Sequence, residues 1–119
     1  MIQNNLVGIP MIDRTALCGV PSATQTAAGA VQATATLVAS DINSFTTVAA
    51  GTGAIVPSQA LPGDFYEISN WGANALLVYP AVGGIFNGLA ANATVSVPIN
   101  KTLQLRCVAN LNWNTTLSA

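Results

Sequence analysis

The side chains that usually carry acid–base chemistry are scarce in this sequence. Histidine is absent, and the four carboxylates, Asp13, Asp41, Asp64 and Glu67, are scattered along the chain, which removes the common general bases and most metal-ligand sets together. Asp64 and Glu67 are three positions apart, a spacing that puts them on opposite faces of a strand, so they do not form a paired acid and base. No Ser or Cys has a base beside it to activate it, and a hydrolase reading fails on that ground. The run Gly83-Gly84-Ile85-Phe86-Asn87-Gly88 lacks the following Lys-Ser/Thr and the helix of a phosphate loop, and it reads as a turn region. Cys18 and Cys107 match no metal spacing and are either free buried thiols or one long-range disulfide. No catalytic residue, cofactor site or metal site is assigned, and the chain is expected not to be an enzyme.

Two further sets of residues have recognition chemistry. Asn92-Ala93-Thr94, Asn100-Lys101-Thr102 and Asn114-Thr115-Thr116 match the glycosylation sequon, but without an export signal they reflect only abundant Asn and Thr. Trp71, Trp113, Tyr66 and Tyr79 could stack on sugars, or they belong to a core or a subunit interface. The core or interface reading is favoured.

Composition narrows the partners. The 119 residues make a single domain, with 51% hydrophobic and only 6% charged residues, where an ordinary domain has about a quarter charged. Charge-driven disorder is excluded. Arg14, Lys101 and Arg106 are the only basic residues and the formal net charge is -1, so no basic stripe exists for nucleic acid and none for an anionic membrane. The longest nearly apolar stretch, Ala75–Phe86, is broken by Pro80, Gly83 and Gly84 and falls short of the roughly 20 residues of a spanning helix. The first five residues carry no positive side chain, and the apolar residues after Asn5 are interrupted by Gly8, Pro10, Asp13 and Arg14. The N-terminus does not read as a secretion signal, and a protein made and kept inside a cell is expected.

The elements that must position any surface are set by periodicity. Residues 1–22 mix apolar side chains with Gly8, Pro10, Gly19 and Pro21 at spacings that fit neither helix nor strand for long, and they read as an extended N-terminal arm. Residues 23–119 form the domain. The Ala- and Thr-rich stretch 23–40 favours strand over helix. Short strands come next, around Phe45–Val48, Ala54–Val56, Phe65–Asn70 and Ala75–Tyr79. The turn Leu61-Pro62-Gly63-Asp64 separates two of them, since proline presets one dihedral and glycine accepts positive φ. Val95, Val97 and Ile99 alternate with polar residues, as do Leu103, Leu105 and Cys107, and Asn100-Lys101 between the two runs resembles a hairpin turn. The pattern predicts an all-β single domain, a β-sandwich or barrel of about seven or eight short antiparallel strands with the N-terminal arm attached.

A surface of Ala, Thr, Ser and Asn can approach another protein without desolvating ions, which suits permanent assembly. Strand Ala75–Tyr79 is apolar on both faces, so half of it needs a covering partner. Ile2, Leu6, Ile9, Met11 and Ile12 in the arm, with Leu77 and Tyr79, are the candidate contact residues. Self-association is expected, a homotrimer in preference to a homodimer.

The stretch Ile68-Ser69-Asn70-Trp71-Gly72-Ala73-Asn74-Ala75-Leu76-Leu77-Val78-Tyr79-Pro80, continued by Gly83-Gly84-Ile85-Phe86-Asn87-Gly88-Leu89-Ala90-Ala91-Asn92-Ala93, resembles a recurrent pattern in structural proteins of tailed bacteriophages. The likeness spans about Val48 to Trp113, with Trp71 standing where a small polar residue is usual before the glycine. It implies a β-rich module of the virion exterior: a capsid decoration or cement protein, or part of a head fibre. As a decoration protein it would bind the phage major capsid protein at the outer capsid surface, after synthesis in the host bacterial cytoplasm, and stabilise the shell. The alternative is a head-fibre or receptor-binding module that recognises host surface glycans. Assembly inside the cell would keep Cys18 and Cys107 reduced.

Overall fold

The computed structural model describes residues 21–38 and 40–119. The expected arm therefore lies almost wholly outside the described residues, together with Ile2, Leu6, Ile9, Met11, Ile12 and Cys18. The described chain is all-β, as periodicity predicted, and contains no α-helix. Its strands are β1 (Pro21–Thr26), β2 (Thr36–Leu37), β3 (Ile42–Thr47), β4 (Gly53–Ile55), β5 (Phe65–Asn70), β6 (Leu76–Tyr79), β7 (Ile85–Phe86), β8 (Val95–Val97), β9 (Lys101–Ala109) and β10 (Asn112–Leu117), with one 3-10 turn at Gln32–Thr34. A larger sheet is ordered β1-β3-β5-β9-β10-β7 and a smaller one β2-β4-β6-β8.

The winding corrects the expected sandwich or barrel of antiparallel strands. β1, β3 and β5 pair in parallel, and so do β2, β4 and β6. From β1 to β6 the chain thus passes from the larger to the smaller sheet three times, each turn lying against the previous one, as in a β-solenoid. Antiparallel strand pairing enters where β9 joins β5, β10 joins β9 and β8 joins β6, and a single antiparallel bridge links Ala28 to Gly53. Parallel neighbours need a long crossover, and here the crossover is the visit to the opposite sheet: paired residues are 18 apart at Thr36 and Ala54 and 25 apart at Ile42 and Glu67. The turn signals accordingly mark corners between sheets. Asn100-Lys101 is one of them and not a hairpin, because β8 and β9 belong to different sheets. Asn100 takes a left-handed φ of 64° there, and the Lys101 N–H donates to the Pro98 carbonyl at 3.2 Å.

One core joins the sheets. Phe45, Ile68, Leu103, Leu105, Cys107 and Trp113 of the larger sheet meet Ala54, Leu76, Val78 and Val97 of the smaller, with Val56 just beyond β4. The period-2 pattern of β9 is realised as read, with Leu103, Leu105 and Cys107 inside and Gln104 and Arg106 outside. The Leu61–Asp64 turn also forms: the Asp64 N–H donates to the Leu61 carbonyl at 3.0 Å, the Leu61 N–H donates to Asp64 Oδ2 at 2.9 Å, and Gly63 supplies a φ of 96°.

Buried amides fix the register of the turns. Asn43 is fully buried; its Oδ1 accepts from Gln25 Nε2 at 2.6 Å and from the Ser40 N–H at 3.1 Å, and its Nδ2 donates to the Ser40 and Glu67 carbonyls. One side chain therefore touches β1, its own turn and β5. Asn70, also fully buried, donates to the carbonyls of Asn74 at 2.8 Å and Val97 at 2.9 Å and accepts from the Gly72 N–H at 3.0 Å. Among the described residues no buried side-chain polar atom lacks a partner, as a packed interior requires.

Candidate functional site

The outer face of the smaller sheet gathers apolar side chains that are distant in sequence. Register aligns Leu37 of β2 with Ile55 of β4, and Ile55 with Tyr79 of β6; in the next row Gly53 stands beside Leu77, and Leu77 beside Ser96 of β8. Residues of the opposite parity, Ala54, Leu76, Val78 and Val97, are fully buried in the core, so this second set faces outward. Leu37 is 60% exposed, and Ile55 and Leu77 are half-buried. Tyr79 is only 9% exposed. Its ring lies over Gly53, where a Cβ would come within 2.7 Å of Tyr79 Cε2 and 2.6 Å of the Leu77 carbonyl oxygen, so the missing side chain at Gly53 makes room for the ring.

Of the expected contact residues on the described chain, the structure thus brings Leu77 to a surface and leaves Tyr79 mostly covered. Sequence reasoning missed Leu37 and Ile55. Ile55 carried a signal, since Gly53 and Ile55 alternate with Ala54 and Val56; Leu37 carried none, because its neighbours are small residues and only pairing with β4 shows its side.

Charge is distributed unevenly between the sheets. The five charged residues of the described chain, Asp41, Asp64, Glu67, Lys101 and Arg106, all lie on strands of the larger sheet or immediately before them. The smaller sheet has none. Arg106 is further tied to its own sheet, its guanidinium carbon 5.3 Å from the centroid of the Phe65 ring, a cation–π contact. The outer face of the smaller sheet therefore offers apolar area and neutral backbone without any ion to desolvate.

The four aromatics proposed for sugar stacking do not form a common platform. Trp113 is buried and packs on Tyr66 with ring centroids 5.6 Å apart, and Tyr79 is covered as described. Only Trp71, at the corner after β5, is half exposed. Asn92 and Asn100 of the sequons are left-handed turn residues, and Asn92 Oδ1 accepts from the Gly83 N–H at 2.7 Å. Cys107 is a free, buried thiol; burial, reinforced by the negative charge of Asp64, raises its pKa, and burial first, then Asp64, raises that of Tyr66. Among the described residues no cluster of His, Cys, Asp or Glu is arranged to hold a metal ion, and no helix is long and apolar enough to cross a membrane. A depression of about 140 Å³ on the larger sheet is lined by Thr102, Gln104, Thr116 and Ser118, hydroxyl and amide groups with no base among them.

Compared with known proteins, the chain matches no family model, no curated protein and no solved structure.

Proposed function

We propose that the protein is a non-enzymatic structural component of a bacteriophage virion that binds the outer surface of the capsid and cements the shell of major capsid protein. The observation that carries this reading is the uncharged apolar patch made by Leu37 and Ile55 of one row and Leu77 of the next, on a sheet free of charged residues, a surface suited to permanent contact with another protein surface. The resemblance of the segment from Val48 to Trp113 to phage structural proteins supplies the kind of partner. Stabilisation works by mass action, because a ligand of the assembled shell that ignores its fragments raises the cost of disassembly. Weak contacts from each copy of a homo-oligomer, a trimer in preference to a dimer, add through multivalency. Deleting the gene from its phage and imaging the particles by electron microscopy tests the reading: it predicts particles that assemble but lack surface density and break at lower temperature, and intact density would refute it.

The second reading, a head-fibre or receptor-binding module for host glycans, is favoured by one feature, the half-exposed indole of Trp71. Glycan-array binding that disappears in Trp71→Ala would establish it in place of the first.

A further inference from the structure

The edge strand β7 is two residues long, and it is held to β10 partly by a side chain. Ile85 N–H donates to the Leu111 carbonyl at 2.9 Å and Asn87 N–H to the Trp113 carbonyl at 2.8 Å. In a regular parallel ladder the carbonyl of residue 87 would next accept from the Thr115 N–H. Asn87 instead takes a left-handed φ of 53°, and its side-chain Oδ1 accepts from Thr115 N–H at 2.7 Å while Nδ2 donates to Thr115 Oγ1 at 2.6 Å. The carboxamide extends the ladder past the last residue of β7. Asn87 is also exposed and followed by exposed Gly88, the one Asn-Gly pair in the chain.

Asn-Gly is the dipeptide with least steric shielding of the following amide nitrogen, since Gly has no Cβ. We propose that Asn87 is a spontaneous deamidation site held in check by its place in the ladder. The Gly88 amide nitrogen, losing its proton to hydroxide, attacks Asn87 Cγ. A C–N bond forms, the Cγ–Nδ2 bond breaks, ammonia leaves, and a succinimide remains. Water then opens the ring to isoaspartate or aspartate, with one new carboxylate. Attack requires Gly88 N to approach the face of the Cγ carbonyl and form a tetrahedral intermediate before Nδ2 leaves, and the carboxamide is pinned through both Oδ1 and Nδ2, so it must first release Thr115 and the end of β7 must open. The product adds one negative charge to a chain whose formal net charge is -1 and removes the Nδ2 donor at a sheet edge.

The test incubates the intact protein at mildly alkaline pH, folded and in urea, and follows residue 87 by peptide mapping that resolves isoaspartate from aspartate. The structure predicts modification concentrated at Asn87 and slower in the folded chain by about tenfold or more, the factor that an opening cost of about 1.4 kcal/mol produces. It also predicts that Thr115→Val, which removes Oγ1, speeds the folded reaction several-fold toward the urea rate. Equal rates in folded and unfolded protein would overturn the proposal, as would modification at other asparagines in preference to Asn87. If Thr115→Val fails to fold, the wild-type comparison and amide hydrogen exchange at Thr115 still decide.

Discussion

Replacing Asn70 with alanine should be among the most damaging single changes in the protein. The side chain is fully buried, donates to the Asn74 and Val97 carbonyls and accepts from the Gly72 N–H, so Asn70→Ala strips partners from three backbone groups at once. An unsatisfied buried group costs about 1–3 kcal/mol. Water admitted into the space left by the carboxamide recovers part of this, which leaves an expected loss of about 3–5 kcal/mol from a total of about 5–15 for an ordinary domain. Urea unfolding followed by tryptophan fluorescence measures it, with the slope unchanged if the native fold survives. Asn70→Asp sharpens the test: it keeps the acceptor for Gly72 but sets a carboxylate against two carbonyls, which raises the folded pKa above the ordinary value of about 3.9. Stability of that variant is then greatest below the unfolded pKa and falls as pH rises through the folded one, so it should approach wild type in acid and diverge from it toward neutrality. A loss under about 1 kcal/mol for Asn70→Ala would refute the claim that buried amides hold the corners.

Three further outcomes are expected. Gly53→Ala would place a Cβ 2.6 Å from the Leu77 carbonyl oxygen and 2.7 Å from Tyr79 Cε2; thermal melting should show a loss of about 1–3 kcal/mol, and an unchanged midpoint would mean that Tyr79 does not rest on Gly53. Leu77→Ser, on the outer face of the smaller sheet, should cost little stability, within about 1 kcal/mol, yet weaken self-association or capsid binding in light scattering and sedimentation; unchanged binding would remove this face from the interface. Because the folded pKa of Cys107 lies above its usual 9.0, the neutral thiol contributes stability in full below that usual value, and the contribution is lost as pH rises through the folded one. Urea midpoints of wild type should therefore fall more steeply than those of Cys107→Ala above about pH 9, and equal slopes would contradict the raised pKa.

Much of the local structure was legible in the sequence, and the winding was not. β5 occupies Phe65–Asn70 as read, the Leu61–Asp64 turn forms as proline and glycine dictate, and β9 alternates as its residues do, because each depends on neighbours a few positions away. Parallel stacking depends on residues 18 to 25 positions apart, and turns of unequal length leave no fixed repeat to detect. Asn100-Lys101 looked like a hairpin because strands flank it, whereas the hairpin between β9 and β10 turns at Asn110-Leu111, where Leu111 takes a positive φ of 60° that its side chain gives no reason to expect. The smaller sheet's outer face was half visible. Leu77 was evident from a strand apolar on both sides, but Leu37 joins it only through register, and the covering of Tyr79 depends on a glycine in another turn of the chain.

The proposed binding of the capsid by a neutral apolar face is measured by titrating purified protein onto undecorated capsids at low and high salt. Raising NaCl from about 0.1 M to about 1 M shortens the reach of exposed charges from about 10 Å to about 3 Å, while apolar burial is not weakened by that screening. Binding through the neutral face is expected to be saturable, with an affinity that changes less than tenfold, about 1.4 kcal/mol, across that range. Absence of binding, or a tenfold or greater loss at high salt, would rule out attachment through this face.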